Sequence, residues 1–158
     1  MADSPRTDSP RTDSPRPDSP RPDDGTALLG DLVMRLARTL RRRFSAVLEP
    51  WELSPHQARA LRVVCARDGM RLSELAEALR IAPRSATEVA DGLQERGLVV
   101  RAADPADRRA VVLTPTDDGR RVQREVDAAR AADAEELFAR LSPADRTELG
   151  RILRSLAD

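Results

Sequence analysis

The sequence predicts a mainly α domain with a small β-hairpin wing: a winged helix-turn-helix with helical regions at both ends. Three observations predict it. Two short amphipathic segments within residues 73–96 are joined by about three residues, which is the spacing of a helix-turn-helix. Gly97 ends the second of them, and the stretches 98–102 and 109–113 then pair as a hairpin over a loop at 103–108. Before and after this lobe stand longer amphipathic stretches with more apolar surface than a small winged core can cover.

Taken in order, residues 3–22 are four pentads of the type Asp-Ser-Pro-Arg-Thr or Asp-Ser-Pro-Arg-Pro. Proline every few residues removes amide donors, and nothing here can build a core, so an extended tail is expected. Through Asp24 it holds six Asp against four Arg, which makes it a poor DNA-clamping arm. The spacing of Leu29, Leu32, Val33, Leu36, Leu40, Phe44, Val47 and Leu48 predicts a first helix over 26–48, closed by Pro50. Ser54 as N-cap, Pro55 at the first helical position and Gln57 for a capping box predict a second helix. Ala58, Leu61, Val64 and Cys65 form its buried stripe, and Gly69 follows its end. Ser73 is the expected cap of a third helix with Leu75, Ala76 and Leu79 inward; Pro83 opens a fourth with Ala86, Val89, Ala90 and Leu93 inward. Thr114 or Thr116 caps a helix reaching about Arg140, and Ser142, Pro143 and Asp145 start the last one.

These signals divide the chain into a tail at 1–25 and one domain at 26–158. Within the domain, 54–116 form the winged lobe, while 26–50 and 117–158 form the helices that pair two copies. A second copy of the chain is the simplest cover for their surplus apolar faces, so a homodimer is expected.

Composition narrows the function classes. All 27 basic residues are arginine, balanced by 27 acids, so attraction to an anionic partner must come from a local patch. One Cys and one His give neither a disulfide framework nor a metal site, and no cofactor is expected. Trp51, Phe44 and Phe138 are the only aromatics, too few for a base-stacking single-strand binder. No phosphate-binding glycine loop, nucleophile elbow or zinc-ligand spacing is present, so no enzyme is expected. Without a secretory or membrane-length apolar run, the expected location is the cytoplasm, away from membranes.

With helix, turn, helix and wing in this order, the chain resembles the MarR family of bacterial transcriptional regulators. The residues carrying the likeness are LSELAEAL at 72–79, SATEVADGLQERGLV at 85–99 and DPADRRAVVLTPTDDG at 104–119; LSPADRTELGRILRSL at 141–156 is similar to that family's final helix. The resemblance implies a homodimer that binds double-stranded DNA, a repressor of pseudo-palindromic operators relieved by a small-molecule effector. Arginines on a hairpin tip suit the narrow, strongly negative minor groove. By resemblance, Arg108 is the groove or phosphate contact, and Arg109 is tethered by a carboxylate, with Asp91 and Asp104 as candidate partners beside Asp107. Arg101 adds a third wing cation. The fourth helix is expected in the major groove with Arg84, Ser85, Thr87 and Glu88 near base edges and phosphates. Arg84 suits guanine, and Glu88 suits a cytosine amino group.

The same resemblance implies a small-molecule pocket between the outer helices and the winged lobe, for which Phe44, Trp51, His56 and Arg59 are the candidates. Trp51 also reads as a packing residue of the connector, and Cys65 as a small buried apolar group rather than a redox sensor. One feature favours a different class. Residues 83–96 hold Arg84 and Arg96 against Glu88, Asp91 and Glu95, a net charge of minus one, which suits a winged-helix protein-interaction module without DNA binding.

Overall fold

The computed structural model describes residues 24–104, 107 and 110–157; the repeat tail and Arg108 and Arg109 lie outside the described residues. The chain divides into two compact units between Ala37 and Arg38. The first unit contributes the N-terminal part of α1 (Asp24–Leu48), where Leu28, Leu29, Leu32, Val33 and Met34 are all exposed.

The second unit holds the rest. The end of α1 delivers Leu48 into the core, and Pro50 lies in a single 3-10 turn, Glu49–Trp51, because proline cannot continue the helix. Helix α2 (Pro55–Arg67) opens on the expected capping box: Ser54 Oγ accepts the Gln57 N–H at 3.2 Å, and Gln57 Oε1 accepts the Ser54 N–H at 2.9 Å. Ala58, Ala60, Leu61 and Val64 are its buried residues. Cys65, expected on that stripe, is only half-buried; Ala60 is fully buried instead.

A two-residue strand, β1 (Met70–Arg71), leads into α3 (Leu72–Leu79) and then α4 (Pro83–Glu95). Helix α3 starts earlier than the expected cap at Ser73, because the Glu74 carboxylate reaches back to accept the Arg71 N–H at 2.7 Å. Arg80 turns the chain between α3 and α4 with a left-handed φ of 56°. Leu75, Ala76 and Leu79 of α3 and Ala86, Ala90 and Leu93 of α4 are buried against each other and α2.

Strands β2 (Val99–Ala103) and β3 (Val111–Pro115) form the wing, with β1 on the far side of β3, giving an antiparallel sheet in the order β1-β3-β2. The pairing is shifted from the expected one: Val99 faces Pro115, and Ala103 faces Val111. One local bond ends the helix before the hairpin, and another, at the loop, sets the register. The Leu98 N–H is used by the Leu93 carbonyl at 3.0 Å to end α4 over Gly97, whose φ is 69°, and the Asp104 N–H bonds the Ala110 carbonyl at 3.0 Å. Thr116 caps α5 (Asp117–Phe138), and Ser142 caps α6 (Pro143–Ala157). The core gathers Leu61, Val64, Leu75, Leu93, Val99, Leu113 and Val122, so helix-turn-helix, sheet and α5 share one apolar centre. Each such side chain contributes roughly 2 kcal/mol by leaving water. Among the described residues, no helix is long and apolar enough to cross a membrane.

Candidate nucleic-acid interface

Helix α4 is anchored on one side and open on the other. Its small buried residues, Ala86 and Ala90, let it lie close to α2, and at Gly92 an added Cβ would stand 2.3 Å from the Gln57 amide nitrogen. The opposite side carries the residues expected to face DNA. Arg84 and Glu88 are exposed, with side chains 91% and 64% accessible, and they pair along the helix through Arg84 Nε and Glu88 Oε1 at 3.2 Å. Ser85 and Thr87 are half-buried, and the Thr87 hydroxyl donates back to the Pro83 carbonyl at 3.1 Å. Ala82, at the N-cap, makes no side-chain cap bond, so the first amides of α4 have no partner from that side chain.

The wing is held by two ion pairs, one to this helix and one to β1 at the start of α3. Strand β2 alternates, burying Val99, exposing Val100 and turning Arg101 toward α4. There Arg101 Nη1 meets Asp91 Oδ1 at 2.5 Å, and Nη2 donates to the Thr87 carbonyl at 3.1 Å. The candidate tether Asp91 therefore holds Arg101, itself a candidate DNA contact. Asp104, the second candidate tether, is buried and accepts two bonds of 2.6 Å from Arg71 Nε and Nη2. Arg71, for its part, is held further toward its charged form by that carboxylate. Sequence reading missed Arg71, since a two-residue strand leaves no periodic signal and the pair spans 33 positions. Asp107 is exposed, with its N–H on the Asp104 carbonyl at 3.2 Å. Arg108 and Arg109, the wing-tip candidates, lie outside the described residues.

A cavity of about 550 Å³ lies between the end of α1, α2 and α5. Phe44, His56 and Arg59 line it, joined by Gln123, Arg130 and Phe138. The Arg130 guanidinium stands 5.5 Å above the Phe44 ring. Gln123 is buried, and its Oε1 has no hydrogen-bond partner among the described residues. Trp51 is not part of this lining; its indole N–H donates to Glu125 Oε2 at 3.0 Å. Cys65 has its thiol pushed up by burial, which disfavours the reactive thiolate. Among the described residues, no cluster of His, Cys, Asp and Glu could hold a metal ion.

A short helix pair with one polar face outward, next to a hairpin fixed to it by ion pairs, defines a winged helix-turn-helix domain. Residues 51–110 match the family model described as the MarR family. An HTH-type transcriptional repressor of Mycobacterium tuberculosis is 34% identical over 131 residues, covering 82% of this chain and 94% of that protein. The solved YusO protein from Bacillus subtilis superposes with a TM-score of 0.74 at 25% identity, covering 87% of this chain and 98% of that one. The transcriptional repressor CouR, solved on a 23-mer DNA duplex, gives a TM-score of 0.73 at 28% identity, over 86% of this chain and 96% of that one. CouR from Rhodococcus jostii bound to p-coumaroyl-CoA gives 0.65 at 27%, over 82% and 91%. The chain belongs to the MarR family of transcriptional regulators.

Proposed function

We propose that this regulator is a homodimeric repressor that binds pseudo-palindromic DNA through α4 and the wing and releases it when a small molecule fills the α1–α2–α5 cavity. The observation that supports DNA binding best is the pairing of Arg101 with Asp91 at 2.5 Å, which sets the wing at a fixed place beside the exposed face of α4. Arg84, Ser85, Thr87 and Glu88 then meet the major groove, while Arg108 reaches the minor groove or its phosphates and Arg109, tied to a carboxylate, fixes the wing. Arg101 acts as the brace between the two rather than as a reader. CouR on its DNA duplex supports DNA binding by likeness.

Gln123 Oε1, without a partner among the described residues and in an arginine- and phenylalanine-lined cavity, supports the effector reading, since a buried acceptor is costly until something donates to it. CouR with p-coumaroyl-CoA supports it by likeness. The exposed apolar side chains of α1, and separately those of α6, support the dimer.

The test is binding of the purified protein to duplexes from its own promoter region over a salt series, for wild type and the double variant Arg108→Ala, Arg109→Ala. Each phosphate contact contributes roughly 0.9 to the slope of log K against log salt. The expected outcome is specific wild-type binding whose slope flattens by about one in the double variant, for the Arg108 contact. Repeating the series with candidate small molecules checks the release. Absence of binding at low salt would leave the interaction-module reading in its place.

A further inference from the structure

We propose that Glu88 is a positioning residue for sequence reading: it holds the Arg84 guanidinium so that its terminal nitrogens face a guanine, and does not itself contact a base. The inference rests on the DNA-binding reading above and gives Glu88 a different role from cytosine recognition.

Three arginines lie on α4, just after it and on β2, and they are engaged differently. Arg96 uses Nη1 on Glu52 at 3.3 Å, and Arg101 uses both terminal nitrogens on Asp91 and Thr87. Among the described residues, Arg84 is bonded through Nε alone, at 3.2 Å to Glu88, and its side chain is 91% exposed. That geometry uses the inner N–H to fix the plane and leaves the terminal fork pointing outward. A planar fork is what guanine O6 and N7 accept, and a flexible arginine loses rotamer entropy on binding that a braced one has already lost.

Stability does not explain the pair. An exposed arginine followed by glutamate four residues later is the weaker order along the helix dipole, and such pairs contribute little. A carboxylate in the middle of a DNA-facing surface also repels phosphates. Holding Arg84 for one base is a use in which both properties fit, because repulsion of phosphate suppresses binding to unrelated sequence.

The test is selection from duplexes randomised in the half-site, followed by equilibrium binding to the selected and to an unrelated duplex, for wild type, Arg84→Ala, Glu88→Ala, Glu88→Gln and the double alanine variant. Urea midpoints check that each is folded. The expected result is that Arg84→Ala abolishes a guanine preference at one base pair. Glu88→Ala weakens that same preference about two- to threefold, the size of an exposed i,i+4 pair, while binding unrelated DNA more tightly. Glu88→Gln, which keeps an acceptor for Nε, retains most of the preference, and the double variant loses no more than Arg84→Ala. If Glu88→Ala alters a base pair that Arg84→Ala leaves untouched, Glu88 is a direct reader and the proposal fails. It fails equally if the preference is unchanged. Wild-type protein that selects no duplex overturns the DNA-binding reading along with it.

Discussion

Single residues here act over distances the sequence does not display. Trp51 is the only tryptophan in the chain, and its N–H donates to Glu125, 74 positions away. Together with Arg121, that donor holds the Glu125 carboxyl below the usual carboxylate range. A depressed folded-state value means that this contribution is complete above the ordinary glutamate pKa of about 4.3 and is lost as pH falls through the folded value. Trp51 emission should therefore shift on acidification below that ordinary value, before global unfolding. Glu125→Gln should remove the shift while keeping the same emission at neutral pH. Fluorescence paired with far-ultraviolet circular dichroism checks both. Reading the residues one by one gave Trp51 as a packing group of the connector and also as a pocket wall. The structure keeps the first in part and replaces the second, because its polar edge needed a partner and found one on α5. Arg71 was illegible for the same reason: a partner 33 residues away leaves no local trace.

At the scale of elements, legibility follows the range of the interaction. The capping box at Ser54, the proline at the start of α4 and the Thr116 cap are written in three or four consecutive residues, and all are present. The early start of α3 was missed because a glutamate capping backwards is a weaker signal than Ser73, which sits inside the helix. The hairpin register was missed because the loop sets it: the Asp104 N–H closes on the Ala110 carbonyl, and the Leu98 carbonyl accepts the Thr116 N–H in the same register. Helix α5 shows how closely elements meet at the wing base. An added Cβ at Gly119 would lie 2.0 Å from the Leu98 carbonyl oxygen, backbone that cannot step aside. Gly119→Ala should therefore destabilise by about 2 kcal/mol despite the better helix propensity of alanine. Gly150, in α6, meets only the flexible end of Arg154 at 3.5 Å, and Gly150→Ala should stabilise by about 0.5–1 kcal/mol. Urea unfolding of the two variants beside wild type checks the opposite signs.

For the whole molecule, the decisive feature is apolar surface without a cover. In α6, Ile152, Leu153 and Leu156 are 39%, 47% and 75% exposed, and in the first unit Leu29 and Val33 are 63% and 56% exposed. Both faces were legible as helical stripes, but a stripe does not say what covers it. If a second copy does, as proposed, Leu153→Glu places a charge where the other protomer packs. The winged lobe, whose core lies around Leu61 and Leu113, should stay folded. Sedimentation equilibrium should show the wild type as a dimer and the variant as a monomer at micromolar concentration, with the urea transition of the lobe still cooperative. The same change should weaken binding to a two-half-site operator far more than binding to a single half-site. Linking two reading heads raises affinity by roughly 10²–10⁴ without altering either head, and that factor disappears when the link does. A monomeric variant that still binds the full site as tightly as wild type would mean that each lobe reads DNA independently. A variant that remains dimeric would place the dimer contact elsewhere than on the α6 face.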